Sequence, residues 1–197
     1  MRIDEGVAMT EDFNATGTGD AADVAIKIAR CRPDAKLPAY ARAGDAGMDV
    51  MAAEDILVGP GETVLVPTGI RVAIPEGYEL QVRPRSGISL NTPLRIPNSP
   101  GTIDSGFRDE VRILLTNTSP AAAPVANTSP AAAGNAADEP FRITEKGQKP
   151  GIYLIRKGDR IAQLVLARVP SVRWVEVDSV DQEGTDRLGG FGSTGVH

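Results

Sequence analysis

The sequence predicts an all-β fold, a jelly-roll-like sandwich or barrel, and three observations support this class. Of the 197 residues, 21 are Gly and 15 are Pro, which favours many turns. Short segments in which apolar and polar residues alternate recur between those turns, at the spacing seen in sandwiches and barrels. No stretch longer than about ten residues has the 3.6-residue period of an amphipathic helix.

The predicted strands follow one another from Val24 onwards, where Val24, Ile26 and Ile28 alternate with small or charged residues. Gly- and Pro-containing turns separate the later segments. The other predicted strands are 63–67, 70–74, 78–83, 110–115, 151–155, 161–168 and 171–177. In the segment 78–83, Leu80 and Val82 share one face while Gln81 and Arg83 share the other.

Three segments differ from this β domain, which we assign to residues 24–180. Residues 1–23 lack periodicity and are predicted to be a disordered tail. Residues 117–140 contain the heptapeptide NTSPAAA twice and are predicted to be a low-complexity surface insertion, from which 141–143 re-enters the fold. We favour an inert loop over a partner-binding arm, because long surface loops cost little stability. Residues 181–197 are Gly-rich and predicted to be a flexible tail.

Composition argues against several classes of function. The chain has 21 Lys and Arg against 26 Asp and Glu, and a net charge of −5 is not typical of a nucleic-acid or anionic-membrane binder. A single cysteine, Cys31, excludes an intrachain disulfide, and a single histidine, His197, argues against His-based triads and metal sites. No targeting signal or membrane span is visible, so we expect a cytoplasmic protein.

Two short motifs stand out in the first half of the chain. In AGDAGMDV at 43–50, glycines flank Asp45 and precede Asp49, as in a tight turn or a site loop. In RPRSGIS at 83–89, Arg83 and Arg85 form a plausible phosphate cradle with the Ser86 hydroxyl and the Gly87 amide, and the alternative is a basic turn.

A third motif, NSPGTIDSGFRDEV at 98–111, places a carboxylate beside an aromatic ring. Asp104 could act as a general base and Phe107 as a platform for a base or sugar. The amide of Asn98 can read both a donor and an acceptor on a nucleobase. The alternative is a β-hairpin with a capping Asp and a core Phe.

The last two motifs lie nearer the C-terminus. In KGDRIAQLVL at 157–166, Gly158 and Asp159 predict a hairpin turn, and Gln163 is the polar residue of an apolar strand that either bonds at an interface or reads substrate. In RLGGFGSTG at 187–195, Arg187 and the glycines suit a segment that closes over phosphates, or a frayed terminus. No helix follows this motif, so it is not a Walker A loop.

Taken in order, these five motifs resemble those of the trimeric dUTPase family. The resemblance extends from about Val24 to the C-terminus. The resemblance implies a jelly-roll homotrimer that hydrolyses dUTP to dUMP and pyrophosphate, at three sites each built from all three chains. That reaction limits uracil incorporation into DNA and supplies dUMP for dTMP synthesis. Mg²⁺ would be held through the substrate phosphates rather than by protein side chains, which agrees with the absence of a His or Cys cluster in the sequence.

The resemblance also implies roles for individual residues. Asp104 is the base that activates the water attacking the α-phosphorus, and Asp49 orients the arginine of the second motif. The expected substrate-binding residues are Arg85, Ser86, Gly87, Asn98, Thr102, Ile103, Phe107, Arg112, Gln163, Arg187, Phe191, Gly192, Ser193 and Thr194. Of these, Asn98 and the backbone at Thr102 and Ile103 read uracil, and Phe107 stacks under deoxyribose.

Three positions depart from the family pattern. Phe107 stands where Tyr is usual, Asp109 stands where Gly is common, and the segment from Arg187 to Phe191 is one residue shorter. Other readings stay open. The first is a dCTP deaminase or a bifunctional enzyme, which the Gly-Gly-Phe-Gly tail disfavours. The second is a non-catalytic nucleotide-binding trimer, and the third is a purely structural jelly roll.

Overall fold

The computed structural model describes residues 23–120, 139–181 and 183–185, and strands dominate this part of the chain. The all-β prediction is therefore confirmed. In chain order the strands are β1 (Lys27–Arg30), β2 (Ala39–Tyr40), β3 (Gly47–Met51), β4 (Ile56–Val58), β5 (Thr63–Pro67), β6 (Ile70–Ala73), β7 (Tyr78–Arg83), β8 (Leu94–Arg95), β9 (Gly101–Ile103), β10 (Arg112–Asn117), β11 (Phe141–Arg142), β12 (Tyr153–Ile155) and β13 (Arg160–Arg168). One helix, α1 (Ser86–Asn91), lies between β7 and β8 in this described part. At six residues it is far too short to span a lipid bilayer, and the described residues contain no longer helix.

The strands form four small sheets around one core. The largest sheet has the order β2-β3-β13-β7-β9, and two three-stranded sheets have the orders β5-β10-β8 and β11-β12-β4, while β1 pairs with β6. Neighbouring strands are antiparallel except for β11 and β12. Strands that are distant in sequence thus become neighbours, as in a jelly-roll-like sandwich.

The core is built from the inward faces of these sheets. On β7, Leu80 and Val82 are buried while Arg83 is exposed, as the alternation predicts. Each fully buried aliphatic side chain contributes about 1.5–3 kcal/mol of transfer free energy. Tyr153 is also buried in the core, where its hydroxyl donates to the Lys149 carbonyl at 2.8 Å. Burial raises the pKa of Tyr153 above its ordinary value, because it penalises the phenolate.

Most predicted strands are confirmed, two of them at both ends. The segments 63–67 and 78–83 coincide with β5 and β7, and β1, β6, β10, β12 and β13 differ from their predicted bounds by a few residues. The predicted re-entry at 141–143 is also confirmed, since β11 pairs there and Ile143 is buried.

The predicted strand at 171–177 is wrong. This segment has no partner strand among the described residues, and a strand needs a hydrogen-bonded neighbour to persist. Its apolar side chains face solvent in the single chain, with Trp174 90% exposed and Val172 71% exposed. The segment does alternate between apolar and polar residues, but the described part of the chain provides no surface that buries its apolar side chains.

Two smaller expectations also need correction. The turn predicted after β7 is the six-residue helix α1, which is too short to show a helical period in the sequence. Asn117 ends β10 instead of opening the insertion, because its buried amide donates to the carbonyls of Val58 at 2.9 Å and Gly151 at 2.8 Å. The domain limits stay a prediction, since residues 1–22, 121–138, 182 and 186–197 lie outside the described residues.

Neither the hairpin predicted at Gly158 nor the alternative hairpin around Asp104 forms. A tight turn does occur at Gly158, whose φ is +86°, but β12 before it pairs with β4, whereas β13 after it pairs with β3 and β7. The segment around Asp104 likewise joins β9, which pairs with β7, to β10, which pairs with β5 and β8. Both segments therefore cross between sheets instead of joining paired strands.

Candidate active site

A polar cleft of about 580 Å³ lies at one end of the five-stranded sheet. Three of the five sequence motifs meet there because β13 lies between β3 and β7, with Gln163 opposite both Asp49 and Arg83. The cleft is lined by Ala41, Arg42, Asp45, Ala46, Gly47, Asp49, Arg85, Ser86, Gly87, Arg160 and Gln163.

Asp49 joins two arginines at the floor of this cleft. One carboxylate oxygen accepts from Arg85 Nε at 2.6 Å, and the other accepts from Arg160 Nη1 at 3.1 Å. The Asp49 side chain is only 15% exposed, so these pairs are shielded from bulk water more than surface ion pairs are. A guanidinium has five N–H donors, so most donors of both arginines stay available to an anion.

The loop before β3 supports this arrangement. A carboxylate oxygen of Asp45 accepts from the Arg42 backbone amide at 2.9 Å and closes the turn between β2 and β3. Gly44 has a φ of +85° in this turn, a conformation that favours glycine. The tight-turn interpretation of this motif is confirmed, and the same turn forms one wall of the cleft.

Gln163 contacts the segment that carries the second motif. Its Nε2 donates to the Pro84 carbonyl at 2.9 Å, directly before Arg85. Arg85 then precedes α1, whose first residues, Ser86 and Gly87, are exposed at the cleft. Arg42 and Arg160 also line the cleft, although neither was predicted as a site residue and no local signal in the sequence marks either one.

Asp104 does not line this cleft. It follows β9, whose Ile103 lies opposite Leu80, so Asp104 is level with Glu79 at the far end of β7 from Arg85. Six extended residues span about 20 Å. Asp104 and Arg85 of one chain are therefore too far apart to act on the same phosphorus atom.

The other residues of the third motif lie on β9 and in the segments on either side of it. The backbone amide of Phe107 donates to the Asp104 carbonyl at 3.1 Å, and the Phe107 ring is 37% exposed. Asn98 is exposed and its amide lies against Gly101. Strand β9 is the last in its sheet, so the outer backbone edge at Thr102 and Ile103 has no partner strand among the described residues.

Two of the predicted residues, Arg83 and Arg112, are not brought to the cleft. The Arg83 guanidinium donates instead to Gln81 Oε1 at 2.6 and 2.9 Å. Arg112 begins β10 in another sheet, and its Nε lies 3.4 Å from Glu110 Oε2. The residues expected from the fifth motif lie outside the described residues, and these are Arg187, Phe191, Gly192, Ser193 and Thr194. Within the described ranges, no group of three or more His, Cys, Asp or Glu side chains is close enough to hold a metal ion.

A β-sandwich whose cleft presents two arginines on one half-buried carboxylate is typical of proteins that bind polyphosphates. Comparison with known proteins shows which family the chain resembles. The dUTPase family model matches residues 33–126. The deoxyuridine 5'-triphosphate nucleotidohydrolase of Thermobifida fusca is 40% identical over 174 residues, covering 88% of this chain and 80% of that protein. The Solibacter usitatus protein of the same name is 40% identical over 172 residues, covering 86% and 95%.

Solved structures give the same answer. A dUTPase of Staphylococcus bacteriophage 80alpha with dUpNHpp matches with a TM-score of 0.72 and 29% identity, covering 87% of this chain and 99% of that one. A dUTPase from phage phi11 of S. aureus, studied for its structural Mg(II) ion, matches with a TM-score of 0.65 and 28% identity, covering 79% and 97%. The chain belongs to the dUTPase family.

Proposed function

We propose that this protein is a dUTP diphosphatase, which hydrolyses dUTP to dUMP and pyrophosphate at sites completed between copies of the chain. The observation that carries the proposal is the pair of arginines held by Asp49 beside Ser86 and Gly87. Such a cluster suits the triphosphate, since planar donors bind phosphate oxygens in pairs. The 40% identity to named nucleotidohydrolases supports the choice of substrate.

The proposed reaction needs one base and a positively charged site. Asp104 takes a proton from a water molecule whose oxygen attacks the α-phosphorus, and the bond from that phosphorus to the bridging α,β-oxygen breaks to release pyrophosphate. Arg85, Ser86 and Gly87 bind the phosphates and stabilise the charge that develops on them. Asn98 and the free edge of β9 recognise uracil, and Phe107 packs against the deoxyribose.

We propose that Mg²⁺ binds to the protein together with the substrate, through the phosphates. The described residues offer no carboxylate cluster for a resident ion, whereas a triphosphate supplies the oxygen ligands that Mg²⁺ prefers. The Mg(II) described for the phage phi11 enzyme is structural, and we assign no such site here. The ion neutralises phosphate charge and orients the chain of phosphates.

Two observations support a homotrimer with shared sites. Asp104 and Arg85 of one chain lie about 20 Å apart along β7, so a site that uses both needs Asp104 from a second copy. The exposed apolar side chains of Val172, Trp174, Val175 and Val177 would also be covered by a neighbouring chain. We further propose that the fifth motif closes over the bound nucleotide and that the trimer acts in the cytoplasm.

The substrate panel is the test of this function. Pyrophosphate release is measured with Mg²⁺ from dUTP, dCTP, dTTP and UTP side by side. We expect rapid release from dUTP alone. The hydrogen bonds to uracil exclude cytosine and the packing against deoxyribose excludes the ribose of UTP. Thymine has the same hydrogen-bonding edge as uracil, so dTTP tests whether the site also excludes the 5-methyl group.

Other outcomes of this panel would contradict the proposal. Ammonia released from dCTP would identify a deaminase. Tight dUTP binding without release from any nucleotide would identify a non-catalytic binding protein.

A further inference from the structure

Gly47 lies directly beneath the side chain of Gln163. It occupies the start of β3, diagonally across from Gln163 on β13. A Cβ built on Gly47 would overlap Gln163 Oε1, and would lie 3.0 Å from its Cδ and 3.3 Å from its Cβ. Glycine in a strand interior often marks a place where another group approaches closely, and here that group is the Gln163 carboxamide.

This close approach determines the direction in which the Gln163 carboxamide points. With its oxygen lying over Gly47, the carboxamide turns Nε2 toward β7 and donates to the Pro84 carbonyl at 2.9 Å. Pro84 immediately precedes Arg85, whose Nε must stay 2.6 Å from Asp49. One hydrogen bond therefore ties the phosphate-binding segment to the central strand of the sheet.

We propose that Gly47 is a positioning residue, which acts through Gln163 and Pro84 on Arg85 and Ser86 and so sets the affinity for phosphates. The proposal rests on the proposed function of the cleft. It adds that Gln163 orders the binding segment in addition to any contact with substrate.

Replacing Gly47 by alanine distinguishes a positioning role of this glycine from a purely structural one. The backbone of Gly47 is not in the left-handed region, so alanine is compatible with its conformation. The new methyl group would meet the end of a flexible side chain, which can rotate away at little cost to the fold. The rotation breaks the bond to Pro84, so we expect the effect on binding to exceed the effect on stability.

The test is a double-mutant cycle with Gly47→Ala and Gln163→Ala in the full-length protein. We expect each single variant to lower kcat/KM for dUTP, and the affinity for inorganic tripolyphosphate, by about 5- to 20-fold, as loss of one hydrogen bond in a charged site predicts. The double variant should be no worse than Gln163→Ala within about twofold, because both changes break the same contact. The melting temperature of Gly47→Ala should shift by less than about 4 °C.

Gly59→Ala is the matched control. A Cβ there would also meet the end of a flexible side chain, Glu62 Oε2 at 3.3 Å, but Gly59 lies outside the cleft. We expect that variant to behave as wild type. Wild-type rates for Gly47→Ala, or effects that multiply in the double variant, would contradict the proposal that Gly47 acts through Gln163 and Pro84. Absence of dUTP hydrolysis by the wild-type protein would instead contradict the proposed function. The affinity of the variants for tripolyphosphate would then still test whether Gly47 and Gln163 position the phosphate-binding segment.

Discussion

Replacing Asp104 by Asn is expected to lower kcat for dUTP by about 10³-fold, while dUTP binding stays near the wild-type level. A general base contributes about 10²- to 10⁴-fold, and asparagine keeps the size of the side chain but cannot accept the proton from water. The exposed position of Asp104 after β9 leaves room for water and substrate. The measurement is steady-state pyrophosphate release, with calorimetry of a non-hydrolysable dUTP analogue.

Asp109→Asn is the control for this variant. Asp109 is five residues further along the same segment, and its carboxylate is 74% exposed and lies 3.6 Å from Arg71. Removing this charge should leave kcat unchanged and strengthen nucleotide binding slightly. A near-wild-type rate for Asp104→Asn would show that another group activates the water.

Replacing Arg85 by Ala is expected to lower kcat/KM by about 10³-fold. Losses of this size are typical when a charged contact that strengthens in the transition state is removed. The change removes the guanidinium that we propose contacts phosphate, and it leaves one oxygen of Asp49 without its partner. Arg85→Lys should recover little of the loss, because an ammonium cannot bind Asp49 and phosphate in the same plane. Steady-state kinetics for both variants, with circular dichroism to verify the fold, provide the measurement.

Arg83→Ala, at the last residue of β7, is the matched control. Arg83 lies two residues before Arg85, but its guanidinium donates to Gln81 Oε1 at 2.6 and 2.9 Å and is not part of the cleft. We expect that variant to retain most of the wild-type kcat/KM. Equal losses in Arg83→Ala and Arg85→Ala would contradict a specific phosphate contact by Arg85.

Local patterns in the sequence predicted the parts of the fold that local physics determines. The alternation in 78–83 predicted both β7 and its buried face, because a strand with one face in the core must repeat every two residues. The glycines around Asp45 predicted a turn, because glycine tolerates the backbone conformations that tight turns require. The expected contact between Asp49 and Arg85 is present, although their proposed roles rest on the family resemblance and the variants above.

Features that depend on long-range pairing could not be predicted in this way. A turn signal at Gly158 shows that the chain bends, but it does not show that the next strand joins a different sheet. The segment 171–177 has a strand pattern, yet whether a partner strand exists is not a property of the segment. Arg160 and Gly47 gain their importance only from the register of β13 against β3, which places them beside Asp49 and Gln163.

The central claim is that dUTP is hydrolysed at sites that combine Asp104 of one chain with Arg85 of another. The most direct test mixes the two inactive variants, Asp104→Asn and Arg85→Ala, under conditions in which subunits exchange, as verified by native mass spectrometry. With equal amounts and random exchange, about one site in four receives an intact Asp104 and an intact Arg85 from different chains of a cyclic trimer. We predict that dUTP hydrolysis rises toward that fraction of the wild-type rate. Mixed trimers that stay as inactive as either variant alone would contradict the shared site.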